Sequence, residues 1–383
     1  MTLQVHAQTL TIWTSSENVK AAIATLSSKF EQKYGVKVQI DVLNKDLTTQ
    51  FKTAAMTGKG PDILCWAHDV VGELAESGLI EPLDLTKEFK SNFIETAIKA
   101  YTYKGKIYGY PYDIESLALI YNKDLIKNPP STMKELLNYA QENNNPKKNQ
   151  YSFLYDINSF FFSFPILSSN GGYIFKETKD GLNINDIGLA NNGAVRAADL
   201  LLQLIDKKII PASTDRSIAF SKMKEGKLAM TIDGPWAIDE LKKSKINYGI
   251  ATIPKVFGNK ARPFVGTHGF IIRRSSQNKD IAKEFIENYL VSRDGIISLY
   301  KKDPRGPSRK DALTFLSKTN PDLVSFFQSA TDGVPMPNVP EMGAVWSAMG
   351  SSLNLIFSGR SKVKESLDLA VKQIRNSVKS NQE

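Results

Sequence analysis

The feature that most constrains this chain is the alternation of apolar strands and one-faced helices along its first eighty residues. Thr9–Trp13 reads as a strand. Val19, Ile23, Leu26 and Phe30 then recur at helical steps, which puts them on one face. Ser15 or Ser16 can cap that helix, and Gly35 ends it. Val36, Val38, Ile40 and Val42 alternate with polar residues, the pattern of a half-buried strand. Leu47–Met56 predicts a helix broken by Gly58 and Gly60-Pro61. A short strand over Asp62–Trp66 and a helix over Asp69–Glu76 follow, the latter stopped by Gly78. A β-α-β-α-β order implies a largely parallel sheet with helices on both faces, an α/β fold. Ligands of such sheets sit beyond the carboxyl ends of the strands. Trp13, Ser15, Glu17, Trp66 and Asp69 fall at those strand-to-helix junctions.

At 383 residues the chain exceeds the roughly 250–300 residues at which a single core stops growing, so two domains or lobes are expected. Cys65 is the only cysteine, which excludes an internal disulfide and a cysteine-rich zinc site. His6, His68 and His268 are far apart and show no helical metal-site spacing, so no metal or cofactor is expected. The net charge of +9 raises the question of nucleic acid. The basic residues are scattered, however, and the densest runs, Lys222–Lys227 and Lys301–Lys310, lack interleaved aromatics. A solvated basic surface is the better reading. Near the N-terminus, Val5-His6-Ala7 fits the small-residue pattern of a secretory cleavage site, or else an ordinary terminus.

Further along, extended segments are expected at Ile107–Tyr112, Leu117–Tyr121, Leu228–Ile232, Tyr248–Ile253 and Gly269–Arg273. Helices are expected from Ser131, over Gly188–Lys208, over Lys279–Val291 and over Ser361–Val378. No phosphate loop, dinucleotide fingerprint or G-x-S-x-G elbow is present. Two S-x-x-K matches, Ser131–Lys134 and Ser221–Lys224, lack the partners of a serine-acyl enzyme. Asp62, Asp69, Asp113 and Glu115 lie near strand ends. Two carboxyl groups facing across a sugar would make a glycoside hydrolase, with Asp69 and Glu115 as the pair. Asp62, after Gly60-Pro61, reads instead as a turn or helix cap. Asp69 and Glu115, beside aromatics, read as acceptors for a polyhydroxylated ligand.

Of the four tryptophans, Trp66 ends a strand, Trp236 follows Gly234-Pro235, and Trp346 follows the Pro337–Pro340 loop. An aromatic face matches the C–H face of a pyranose while carboxylates and amides take its hydroxyls. The combination points to a carbohydrate cleft.

Five blocks carry a resemblance. They are Gly60-Pro61-Asp62-Ile63-Leu64-Cys65-Trp66-Ala67-His68-Asp69, Leu119-Ile120-Tyr121-Asn122-Lys123-Asp124-Leu125, Gly234-Pro235-Trp236-Ala237, Ala282-Lys283-Glu284-Phe285-Ile286-Glu287-Asn288-Tyr289-Leu290 and Met336-Pro337-Asn338-Val339-Pro340. The chain resembles the maltose/maltodextrin-binding protein family, the extracytoplasmic sugar receptors of ABC importers. The resemblance implies a two-lobed periplasmic binding protein fold with discontinuous lobes. The N-lobe would be 1–112 and 268–318, the C-lobe 118–264 and 322–383, with hinge crossings at 113–117, 265–267 and 319–321. It implies a monomer that closes around a di- or oligosaccharide and delivers it to an ABC permease in the inner membrane.

By the same resemblance, Trp66, Trp236 and Trp346 match stacking positions, Asp69 and Glu115 match hydroxyl-accepting carboxylates, and Ala67 lines the same wall. Glu17 stands where the family typically has Asp. Asn18, Asp46, Thr48, Val70, Ser159, Phe161, Arg216 and Gly350 stand where the pattern has other polar residues, and Phe162 adjoins Phe161. The stacking floor is kept while the polar rim is changed, so a pyranose ligand with altered linkage or decoration is expected.

Overall fold

The computed structural model describes residues 8–179 and 181–380, so the cleavage-like Val5-His6-Ala7 and His6 lie outside the described residues. The chain is a mixed α/β protein that divides into two compact units. The first takes the residues up to Glu115 together with Gly266–Leu323 and Pro335–Pro340. The second takes Ser116–Val265, Val324–Val334 and the residues from Glu341 onward.

In the first unit, strand Thr9–Thr14 is followed by helix Glu17–Tyr34. Ser16 caps that helix, its hydroxyl accepting the Val19 N–H at 3.3 Å, and Gly35 takes the left-handed conformation at φ 66° that ends it. The sheet runs in the order Lys37–Val42, Thr9–Thr14, Ile63–Ala67, His268–Ile272, Tyr110–Pro111. The first three strands are parallel, as the sequence pattern requires. His268–Ile272 enters antiparallel to Ile63–Ala67, and Tyr110–Pro111 is antiparallel to it in turn. The sheet is therefore mixed, because two strands arrive from later in the chain. Its core is built on Phe30, Phe51, Tyr101, Phe270 and Phe285. Phe30 and Phe285 have ring centroids 4.5 Å apart.

Asp62 is neither a turn residue nor a helix cap. It is buried, and its carboxylate accepts the Thr11 N–H and hydroxyl, both at 2.9 Å, the Ser276 hydroxyl at 2.6 Å and the Asn278 amide at 3.2 Å. It thus ties the edge of the first strand to the segment after the fourth. Residues 335–340 also pack here, although the resemblance assigns them to the other lobe. His68 Nε2 lies 2.8 Å from the Met336 carbonyl. Gly72 N–H donates to the Asn338 carbonyl at 2.8 Å, and the Asn338 amide donates to the carbonyls of Ala100 and Thr102, both at 2.8 Å.

The second unit has a sheet in the order Tyr248–Ala251, Ala118–Asn122, Leu228–Asp233, Tyr151–Phe153. Only the last pair is parallel. Strand Leu228–Asp233 is buried along its whole length, consistent with its central place. Among the boundaries that differ from expectation, two are set by capping side chains. The helix expected from Ser131 is capped by Thr132, whose hydroxyl takes the Glu135 N–H at 3.2 Å, while the Glu135 carboxylate reaches back to the Ser131 N–H at 2.8 Å. The helix expected over Gly188–Lys208 is Asn192–Asp206, because the Asn191 side chain caps it. No helix among the described residues is long and apolar enough to cross a membrane.

Replacing Asp62 by Ala strands four donors in or beside the core, and each unsatisfied buried group costs about 1–3 kcal/mol. The expected result is a loss of about 3 kcal/mol or more in chemical denaturation, whereas a loss under about 0.5 kcal/mol would show the hub to be dispensable.

Candidate carbohydrate-binding site

Strand direction gathers the candidate residues of the first unit along one edge. The carboxyl ends of Thr9–Thr14, Lys37–Val42 and Ile63–Ala67 lie side by side, since Trp13 pairs with Asp41 and with Leu64. Glu17 and Asn18 follow the first of these ends, Asp46 the second, and Trp66, Ala67 and Asp69 the third. Glu17, Asn18 and Asp46 are exposed, while Trp66, Ala67 and Asp69 are half-buried. His268, paired with Ala67, begins the antiparallel strand on the same edge. Tyr110–Pro111 runs out toward that edge and delivers Asp113 and Glu115 there. The Trp66 backbone is fixed by Tyr101, whose buried hydroxyl donates to the Trp66 carbonyl at 2.6 Å.

Glu115 sits in a cluster of charges that the sequence does not reveal. Arg305 Nε lies 2.6 Å from Glu115 Oε2 and 3.8 Å from Asp113 Oδ2, and the guanidinium also pairs with Asp303. His268 Nδ1 lies 3.1 Å from Asp113 Oδ2 and 3.7 Å from Glu115 Oε2. The His268 backbone N–H donates to Asp113 Oδ1 at 2.6 Å. Burial raises the Glu115 carboxyl above the usual range, against the pull of His268 and Arg305. Burial similarly raises Asp303. For His268, burial works against the charged form, but Glu115 and Asp113 together outweigh it and the net shift is upward. Asp113, Glu115 and His268 bring donor atoms within 4.8 Å of one another, a spacing open to a metal ion. The Arg305 guanidinium already supplies the positive charge against two of those three groups, so the donor set fits an ion network better than a metal centre.

In the second unit the candidates also meet at one sheet edge. Leu228–Asp233 and Tyr151–Phe153 are parallel, so Gly234-Pro235-Trp236 and the helix Phe160–Ser169 both follow from their carboxyl ends. Here the aromatics form a continuous run. Phe161 lies 6.3 Å from Trp236 and 6.0 Å, nearly parallel, from Phe264. Phe264 in turn lies 5.7 Å from Trp346. Phe164 stacks on Phe264 at 3.7 Å and fixes its plane, and Phe160 meets Trp346 edge-on at 5.7 Å. Trp236, Phe161 and Trp346 are half-buried. Phe162 is buried, with its edge toward Trp236, and so backs the platform. Trp346 does not follow a loop directly but stands in the second turn of helix Met342–Phe357, which holds its ring rigidly. Ser159 is the N-cap position of Phe160–Ser169 and is half-buried.

Sequence reasoning missed Asp233. Its carboxylate is buried and receives Arg216 Nε at 3.0–3.1 Å, the Gly234 N–H at 2.8 Å and the Trp236 indole. It therefore orients both the Trp236 ring and the candidate Arg216. The signal available was an Asp closing an otherwise apolar strand, directly before Gly-Pro-Trp. The Trp236 ring folds back so closely on Gly234 that a Cβ there would stand 2.2 Å from a ring carbon.

With both edges described, comparison with known proteins gives the class. The family of bacterial extracellular solute-binding proteins matches residues 25–325. The chain belongs to that family. It is similar to the galactooligosaccharide-binding protein of Bacillus subtilis (strain 168), at 29% identity over 97% of this chain and 90% of that protein. It is also similar to the maltodextrin-binding protein MdxE of the same organism, at 30% identity over 95% and 88%. A third relative is the maltotriose-binding protein of Pyrococcus abyssi (strain GE5 / Orsay), at 29% identity over 82% of this chain and 69% of that protein.

The charge cluster makes stability depend on pH. The folded protein holds a proton on His268 more tightly than the unfolded chain does. That contribution is complete below about pH 6.5 and is lost as the pH rises through the higher folded-state value. Glu115 and Asp303, also raised by burial, act in the same direction. Between pH 5.5 and 8.5 the melting temperature of the wild type is expected to fall more than that of His268→Gln. Parallel curves would remove His268 from the account.

Proposed function

We propose that this protein is an extracytoplasmic receptor for a di- or oligosaccharide, which it binds without cleaving and passes to an ABC importer. The observation that carries the reading is the aromatic run Trp236–Phe161–Phe264–Trp346, in which the half-buried rings of Trp236, Phe161 and Trp346 are joined through the buried Phe264. Stacked rings favour the apolar faces of successive pyranoses. The carboxylates Glu17, Asp69 and Glu115, beside Trp66 and Ala67, supply hydroxyl acceptors at the edge of the other sheet. The relatives named for galactooligosaccharide, maltodextrin and maltotriose support a neutral sugar of two or more units.

In this reading the two units act as lobes that close on the ligand about the crossing segments 113–117 and 265–267, as a monomer. Asn18, Asp46, Ser159 and Arg216 shape the rim, with Phe162 behind it, and make its preference differ from maltose. The permease is the partner, and the periplasm or its equivalent outside the membrane is the compartment.

A thermal-shift screen over maltodextrins, galactooligosaccharides and other neutral oligosaccharides tests the reading. A ligand at a hundred times its dissociation constant adds about 2.7 kcal/mol to stability. The expected result is a clear rise in melting temperature with at least one oligosaccharide and the sugar recovered intact. No rise with any member of the panel would refute the receptor assignment, and sustained release of smaller sugars would assign a glycoside hydrolase instead.

For that ligand, Trp346→Ala is expected to weaken binding by about 1–3 kcal/mol in calorimetry on the folded fraction, by analogy with other aromatic platforms. A loss of melting temperature with unchanged affinity would make Trp346 purely structural.

A further inference from the structure

The charges around Glu115 have an arrangement that sugar stacking alone does not require. Gly306 pairs with Ile114 and Pro307 with Asp113 in an antiparallel register. Continuing that register sets Arg305 opposite Glu115. The backbone therefore places the guanidinium, and the Arg305 N–H turns back to the Asp303 carbonyl at 2.7 Å while the Asp303 carboxylate grips the guanidinium. Glu115 Oε2 is buried 2.6 Å from Arg305 Nε, an ion pair whose geometry makes no hydrogen bond for either atom. Glu115 Oε1 accepts no hydrogen bond from any described residue. It lies over Gly266, where a Cβ would stand 3.2 Å from it and 3.1 Å from Glu115 Cγ. One oxygen is thus committed and the other is left for a ligand.

We propose that Arg305 is a positioning residue for ligand binding: by holding Oε2 it keeps the Glu115 carboxylate ionised and turns Oε1 into the acceptor for a hydroxyl of a neutral oligosaccharide. The proposal rests on the receptor reading above. Asp303 completes the device by fixing the guanidinium. The cluster holds three carboxylates, Asp113, Glu115 and Asp303, against one permanent cation, so it stays net negative even with His268 protonated. A sugar carboxylate is therefore repelled at this subsite and a hydroxyl is selected. Without Arg305, a buried Glu115 next to Asp113 takes up a proton more readily, and a protonated carboxyl accepts hydroxyl hydrogen bonds poorly.

The test uses the full chain, titrated calorimetrically from pH 5 to pH 8 with maltotriose and a neutral galactooligosaccharide. The groups facing Glu115 are Asp113, Asp303, Arg305 and His268, with the Tyr101 hydroxyl beyond them. The same groups are present in every variant except where mutated, so affinities are compared between variants at each pH. Wild type and Arg305→Lys should bind with similar affinity and the same pH profile. Arg305→Met should bind at least tenfold more weakly and lose further affinity as the pH falls. Because Arg305→Met leaves the buried acids uncompensated, the pair Arg305→Met with Asp303→Asn serves as the variant that keeps the cluster's charge. In a Glu115→Gln background, Arg305→Met should cost nothing more, which separates action through Glu115 from a direct contact with the sugar. Binding by wild type together with unchanged affinity and an unchanged pH profile in the double variant overturns the inference and leaves the receptor reading standing. An additive loss in the Glu115→Gln background also overturns it. Failure of wild type to bind these two sugars or any other oligosaccharide of the panel overturns the receptor reading and this inference with it.

Discussion

Parallel pairing makes each unit one-sided, and the rest of the architecture depends on that constraint. When Thr9–Thr14, Lys37–Val42 and Ile63–Ala67 run the same way, each is followed at the same edge by the turn that starts the next helix. Polar and aromatic residues at those turns collect without any direct pairing between them. The second unit reaches the same result with one parallel pair, Leu228–Asp233 beside Tyr151–Phe153. The sheet interiors are given to packing, and recognition chemistry is concentrated at the edges.

Recognition in such a place demands rigid groups, and buried carboxylates provide the rigidity in both units. Asp62 ties strands together through four hydrogen bonds. Asp233 fixes the Trp236 indole and Arg216. The Asp113, Glu115 and Asp303 group is held against Arg305 and His268. Taking such charges out of water is costly, and breaking one partner from a buried pair is more costly still. These groups are therefore better understood as devices that orient neighbours than as sources of net stability. Arg216, expected from the sequence to offer itself to a sugar, is engaged with Asp233, which orients its guanidinium.

The strand and helix alternation of the first eighty residues was legible because periodicity there is undiluted. Glu17–Tyr34 and Leu47–Met56 follow directly from spacing and from the glycines that end them. The late strand His268–Ile272 was legible as a strand, but its antiparallel insertion beside Ile63–Ala67 was not, since register across two hundred residues leaves no local mark. Asp62 was misread for the same reason, because its partners Ser276 and Asn278 are distant in sequence. The family blocks pointed to Trp66, Trp236 and Trp346 as stacking residues. The support beneath Trp236 and Trp346, namely Phe164, Phe264 and Asp233, appears only once rings and carboxylates are placed in space.

The central claim is that aromatic platforms and carboxylates on these edges bind one intact oligosaccharide. Isothermal titration with size-fractionated maltodextrins and galactooligosaccharides, followed by mass analysis of the recovered sugar, tests it most directly. The account predicts one sugar bound per chain, a negative heat-capacity change from aromatic burial, and unchanged sugar at the end. The absence of saturable binding across both series, or recovery of shortened products, would contradict it.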